Sequence, residues 1–148
     1  MKLRIFPFAF SARRANISKL ELIGSIAMSF RKKVLLVDDE LDAVEAMSLL
    51  PELEGYDVRV AGSGADALKA VETILPDVAF IDEKMPQMSG RELAGVLRGS
   101  LTLRGMRMIA LSGFNQDADV QRSKNAGFDL HLTKPVSVDE IIRAIENR

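Results

Sequence analysis

The chain carries short apolar runs that each stop at a polar residue with usable chemistry. Val34-Leu35-Leu36-Val37 stops at Asp38-Asp39, Val78-Ala79-Phe80-Ile81 at Asp82, and Met108-Ile109-Ala110-Leu111 at Ser112. A shorter run, Leu130-His131-Leu132-Thr133, leads into Lys134-Pro135. Runs this short and this rich in Val, Ile and Leu predict strands buried on both faces. The predicted strands are 34–37, 57–61, 78–81, 107–111 and about 129–132. The second, with Arg59 and a polar start, is the least apolar and belongs at a sheet edge.

Between the runs the period changes from two to between three and four, as amphipathic helices require. Leu41, Val44, Met47 and Leu49 or Leu50 form one inward stripe, and Ala65, Leu68, Val71 and Leu75 a second. A third helix, from Gly90 or Arg91 to about Arg98, turns Leu93, Val96 and Leu97 inward. A fourth spans about Gln116 to Asn125, and the last carries Ile141, Ile142 and Ile145. The punctuation agrees. Gly55 and Pro76 end two helices, Asn125-Ala126-Gly127 ends a third, and Ser137-Val138-Asp139-Glu140 is a capping box.

Strictly alternating strands and helices predict a parallel sheet covered by helices on both faces. In such open sheets, ligands bind in the crevice outside the carboxyl ends of the strands. Asp38, Asp39, Asp82, Ser112 and Lys134 are therefore expected to meet there, although they are far apart in sequence.

Composition narrows the class. At 148 residues, with 47% hydrophobic and 28% charged, the chain fits one soluble globular domain. It has no cysteine, which excludes disulfides and thiolate metal sites. No apolar run approaches the roughly 20 residues that span a bilayer. The net charge of −1 conceals an asymmetry. Residues 1–30 hold Lys2, Arg4, Arg13, Arg14 and Lys19 against Glu21 alone, so the remainder is acidic. An acidic body gives no electrostatic footprint for nucleic acid. The first thirty residues lack sustained periodicity and contain Phe6, Phe8, Phe10 and Phe30. They read as a basic extension that is disordered or loosely helical, or as sequence ahead of a native start at Met28. Residues 31–148 form the domain.

Three carboxylates in one crevice repel one another and favour a bound cation, and hard oxygen donors suit Mg²⁺. A carboxylate can also serve as a nucleophile and form an aspartyl-phosphate. Asp82 is the candidate, because it ends the central strand. Lys134 would pair with phosphoryl oxygens and Ser112 would donate a hydrogen bond to one. Lys134-Pro135 further invites a cis peptide.

These segments resemble the receiver domain of bacterial two-component response regulators, from Lys33 to the chain end. Val34-Leu35-Leu36-Val37-Asp38-Asp39-Glu40, Gly64-Ala65-Asp66-Ala67-Leu68 and Asp82-Glu83-Lys84-Met85-Pro86-Gln87-Met88-Ser89-Gly90 carry the likeness. Ala110-Leu111-Ser112-Gly113, Ala126-Gly127-Phe128-Asp129 and Lys134-Pro135-Val136 complete it. The resemblance implies a flavodoxin-like, doubly wound α/β fold with five strands ordered 2-1-3-4-5 and five helices. It implies Mg²⁺ on Asp38, Asp39, Asp82 and the carbonyl of Lys84. It makes Asp82 the phosphoacceptor for a histidine kinase or phosphotransfer protein, assisted by Lys134 and Ser112. Ser112 and the residue three before the lysine form the family's switch; an aromatic side chain is usual there, and this chain has His131. Lys84 and Phe114 occupy positions that tune phosphoryl lifetime. The output surface would be the fourth helix, fifth strand and fifth helix, open to a downstream protein or to a second phosphorylated copy. The resemblance implies a cytoplasmic signalling module rather than an enzyme acting on external substrate. With the chain ending at the last helix, it also suggests a stand-alone receiver or a relay intermediate.

Other readings leave residues unused. Gly62-Ser63-Gly64-Ala65-Asp66-Ala67 fits a dinucleotide-binding turn, with Asp82 twenty residues after Gly62. It gives Asp38-Asp39, Ser112 and Lys134 no task. An aspartate-nucleophile phosphatase needs a second acid two positions after the nucleophile, where Lys84 stands. A receiver that docks without being phosphorylated would not need the full acceptor set.

Overall fold

The computed structural model describes residues 18–113 and 116–147, and the chain divides into two units after Arg31. In the first unit, helix α1 spans Lys19–Ser29. The hydropathy pattern does not announce this helix, but its start carries a local signal. Ser18 Oγ accepts from the Glu21 amide, and the Ser18 amide donates to the Glu21 carboxylate. This is a capping box, and it satisfies two donors that a helix start otherwise leaves open. Phe114 and residues 1–17 lie outside the described residues.

The second unit alternates β1 (Lys33–Val37), α2 (Leu41–Leu53), β2 (Asp57–Ala61), α3 (Gly64–Ile74), β3 (Val78–Asp82) and α4 (Gly90–Arg98). A short 3-10 turn at Leu101–Leu103 precedes β4 (Arg107–Ser112), α5 (Asp117–Ala126), β5 (Leu130–Thr133) and α6 (Val138–Glu146). All neighbouring strands pair in parallel, in the order β2-β1-β3-β4-β5. This is the flavodoxin-like order that the resemblance implies, and β2 lies at the edge.

Side-chain alternation in the strands splits the core into two layers. Leu35, Val37, Ala79, Ile81, Met108 and Ala110 face Ala67 and Val71 of α3 and Leu93, Ala94 and Leu97 of α4. Val34, Leu36, Val78, Phe80, Ile109 and Leu111 face Val44 of α2 and Ile141, Ala144 and Ile145 of α6. Most of these side chains are fully buried. Each Val, Leu, Ile, Met or Phe among them stabilises the fold by about 1.5–3 kcal/mol if its area is simply removed from water. The expected capping box forms at Ser137 and Glu140, and Gly127 closes α5 with φ 113°.

Several expected inward residues point outward. Leu41 and Leu49 of α2, Val96 of α4, and Leu75 are exposed, and so is Ala65. In α3 the buried face runs through Gly64, Ala67 and Val71, so the expected stripe keeps Val71, with Leu68 half-buried beside it, and loses Ala65. Leu75 falls outside the helix because it adopts a left-handed cap at φ 45°. The glycine could not be recognised as an inward position from hydropathy. It is inward because Met88 packs where its side chain would be.

Candidate functional site

The crevice begins with how the strands end. Asp38 follows β1, Asp82 closes β3, Ser112 closes β4, and Lys134 follows β5. Asp82 is registered opposite Leu111, and Ser112 opposite Thr133, so the four termini lie side by side. The Lys134 amide donates to the Ser112 carbonyl at 2.7 Å, which fixes the backbone from which the lysine side chain returns. The Lys134–Pro135 bond is cis.

Asp38, Asp39 and Asp82 each present a carboxylate oxygen within 4.8 Å of the others. Asp38 and Asp82 are buried, whereas Asp39 is exposed. The Asp38 carboxylate accepts from the Glu40 amide at 2.9 Å, and Asp82 accepts from the Lys84 amide at 3.3 Å. Lys134 Nζ donates to Asp38 Oδ2 at 3.0 Å and lies 3.3 Å from Asp82 Oδ2. One ammonium thus bridges two buried acids.

That single cation does not balance the cluster. Burial pushes the Asp82 carboxyl above its ordinary value; Lys134 opposes this, and the negative charge of Asp38 adds to it. Burial alone would lower Lys134. The hydrogen bond to Asp38 and the charges of Asp82 and Asp38 outweigh burial and hold the ammonium above its usual value. The donor set is all hard oxygen and carries surplus negative charge, which is the chemistry a divalent cation relieves.

The other expected residues lie around this centre. Ser112 is buried at the end of β4. Lys84 is exposed, two residues beyond the end of β3. His131 is also brought to this end of the molecule, but its ring contacts Ser123 and Glu83 rather than the acidic cluster. Beside the centre, a cavity of about 460 Å³ is lined by Asp38, Met47, Leu111, Lys134, Pro135 and Val136, among others.

Glu83 escapes sequence reasoning here, and so does the reason that Gly90, already expected near the start of α4, is a glycine. Gly90 opens α4 directly against the strand end. A methyl group there would overlap the Asp82 carbonyl and sit 2.8 Å from Glu83 Cα. Glu83 is a buried carboxylate one residue past Asp82. The signal for it was strand alternation, which turns adjacent residues to opposite faces. The glycine-rich turn before α3 has a simpler task than dinucleotide binding. Ser63 caps the helix by accepting from the Asp66 amide, and Gly64 makes room for Met88.

The fold has known counterparts. The chemotaxis protein CheY4 of Vibrio cholerae superposes with a TM-score of 0.75 at 26% identity, covering 79% of this chain and 98% of that one. A response regulator from Burkholderia pseudomallei, with a phosphorylated aspartic acid, calcium ion and citrate, superposes at 0.71 and 26% identity over 77% of this chain and 66% of that one. Transcriptional regulatory protein KdpE of Mycobacterium tuberculosis is 38% identical over 109 residues, 74% of this chain and 47% of KdpE. The chain spans about half the length of the curated relatives KdpE and MtrA. The family model described as response regulator receiver domain matches residues 34–146, nearly all of the second unit. With the 2-1-3-4-5 sheet and the acidic strand ends already in place, the chain belongs to the response regulator receiver family.

Proposed function

We propose that Asp82 is the phosphoacceptor of a two-component phosphorelay. Membership of the family supports the general role, since receiver domains interact with histidine kinases and downstream effectors and are generally non-enzymatic signalling domains. One observation carries the assignment to this residue. Asp82 closes the central strand with a second buried acid beside it and the Lys134 ammonium 3.3 Å away.

A carboxylate oxygen of Asp82 attacks the phosphorus of a phosphohistidine. The P–O bond forms as the P–N bond breaks, and the imidazole leaves with the electron pair and takes up a proton. Lys134 stabilises the charge on the equatorial oxygens. The family typically binds Mg²⁺ through acidic residues, and Asp38, Asp39, Asp82 and the Lys84 carbonyl are the groups that would hold it here. When bound, the ion neutralises charge on the carboxylates and the phosphoryl group. The Burkholderia relative, with its phosphorylated aspartic acid and calcium ion, supports aspartyl phosphorylation as the chemistry of this fold.

Modification adds charge and acceptor oxygens beside Ser112, whose hydroxyl would turn toward them. His131 is the second switch position. Phosphorylation shifts the population only through contacts that differ between the two states. The face built by α5, β5 and α6 reads that shift for a downstream protein or a second copy of the chain. Among the described residues no helix is long and apolar enough to cross a membrane, in keeping with a cytoplasmic relay component.

Acetyl phosphate with Mg²⁺ tests the assignment. Intact mass should reveal one phosphoryl group on the wild type and none on Asp82→Asn. Equal labelling of both would overturn it.

A further inference from the structure

Glu83 is buried, follows the acceptor directly, and takes no part in the chemistry above. Its backbone is held on both sides: its amide donates to Leu111 of β4, and its carbonyl accepts from Gly90 of α4. Its side chain reaches three elements. Arg91 Nη2 of α4 lies 2.7 Å from Oε2. Ser123 Oγ of α5 donates to Oε1, and His131 Nδ1 of β5 lies 3.5 Å from the same oxygen. Ser123 Oγ is also 3.1 Å from His131 Nδ1.

Helix α5 depends on this contact more than helices usually do. A surface helix ordinarily buries an apolar stripe. In α5, among the described residues, the one buried residue is Ser123, and it is polar. Alternation in β3 turns Asp82 toward the crevice and Glu83 toward the α4–α5 layer. A displacement of the strand end by a new group on Asp82 is therefore delivered to α5 through a bonded side chain.

We propose that Glu83 is a positioning residue that pins α5 and the His131 ring to the acceptor strand through Ser123. The pin is the route by which occupancy of Asp82 reaches the α5–β5 surface, and it rests on the phosphoacceptor reading. Donor counting adds a specific consequence. Ser123 has one hydroxyl proton, and a carboxylate only accepts. The Asp119 carbonyl of the same helix, 3.1 Å away, also competes for that proton; with the proton on Glu83, His131 can meet both oxygens only if Nδ1 carries hydrogen.

His131 is the single histidine of the chain, so its ring signals in NMR need no assignment. Long-range proton–nitrogen spectra should place hydrogen on Nδ1 in the wild type, and Glu83→Gln should shift that resonance. An unprotonated Nδ1 in the wild type overturns the proposal. In Ser123→Ala, amides of α5 should exchange about ten-fold faster, since a buried hydrogen-bond partner is lost, while those of β1, β3 and β4 hold. Beryllofluoride with Mg²⁺ then separates pin from acceptor. Fluorine NMR should find equal uptake by wild type and Ser123→Ala, with the α5 amide response reduced about two-fold or more in the variant. Equal uptake with an unchanged α5 response overturns the pin alone. No uptake by the wild type overturns the phosphoacceptor reading and the pin with it.

Discussion

Asp82 and Glu83 are adjacent, both buried and both acidic, yet the fold treats them in opposite ways. Asp82 looks into a crevice where two more carboxylates converge and one ammonium serves them. Glu83 looks the other way, into a pocket where an arginine, a serine and a histidine meet it. The first carboxylate is left under electrostatic tension, the second is matched. Tension is what makes a group reactive toward a cation and a phosphoryl donor. Matching makes a group a fixed point. A single peptide step, acting through strand alternation, separates the reacting group from the proposed structural reader.

Substitutions should divide along the same line. The largest effect is at Asp82 itself: Asp82→Asn removes acyl phosphate formation outright, as read by intact mass, while Arg91→Met on the other side leaves labelling within about two-fold of wild type. Gly90→Ala strikes both regions together, because its methyl overlaps the Asp82 carbonyl at their shared boundary. Urea unfolding should reveal a loss of about 3 kcal/mol or more, or a fold too weak to purify. Lys134→Met leaves Asp38, which is 2% exposed, without its ammonium. A loss of about 1–3 kcal/mol is expected, with labelling by acetyl phosphate slowed at least ten-fold.

The pH dependence is the smallest effect and the sharpest test of tension. Burial raises Asp82 in the folded state, so the native chain keeps that proton to higher pH than the unfolded chain. Its contribution to stability is largest in acid and falls as pH rises through the native value. Without divalent cation, Asp82→Asn should therefore gain a few degrees in Tm over wild type at neutral pH, and the gain should vanish in acid. Excess Mg²⁺ should narrow the neutral-pH difference by stabilising the wild type more. Lys134 acts in the same direction but in the alkaline range. Its raised value supplies stability that is complete below 10.5 and lost as pH climbs through the native value.

The sequence revealed the sheet because each strand is a dense apolar run, and the site because polar residues interrupt those runs at their ends. Position along a strand translates directly into position in the crevice. Helix faces were harder to read. Ala65 and Leu75 look inward by hydropathy, but Gly64 and Ala67 do the packing, since close approach selects small residues that carry little hydropathic signal. The Glu83 pin was hidden for a different reason. Its partners Arg91, Ser123 and His131 lie on three separate elements, and although His131 draws notice at the switch position, nothing in the sequence links it to Glu83. Helix α1 has no periodic stripe, and the local signal for it is the capping box of Ser18 and Glu21.

The central claim is that one carboxylate, and not its neighbour, accepts the phosphoryl group. Reducing the acetyl-phosphate-treated protein with borohydride converts an acyl phosphate into an alcohol, and peptide mapping locates the converted residue. The account predicts homoserine at position 82 alone, dependent on Mg²⁺. Conversion at Glu83, at Asp38 or Asp39, or at no residue would contradict it.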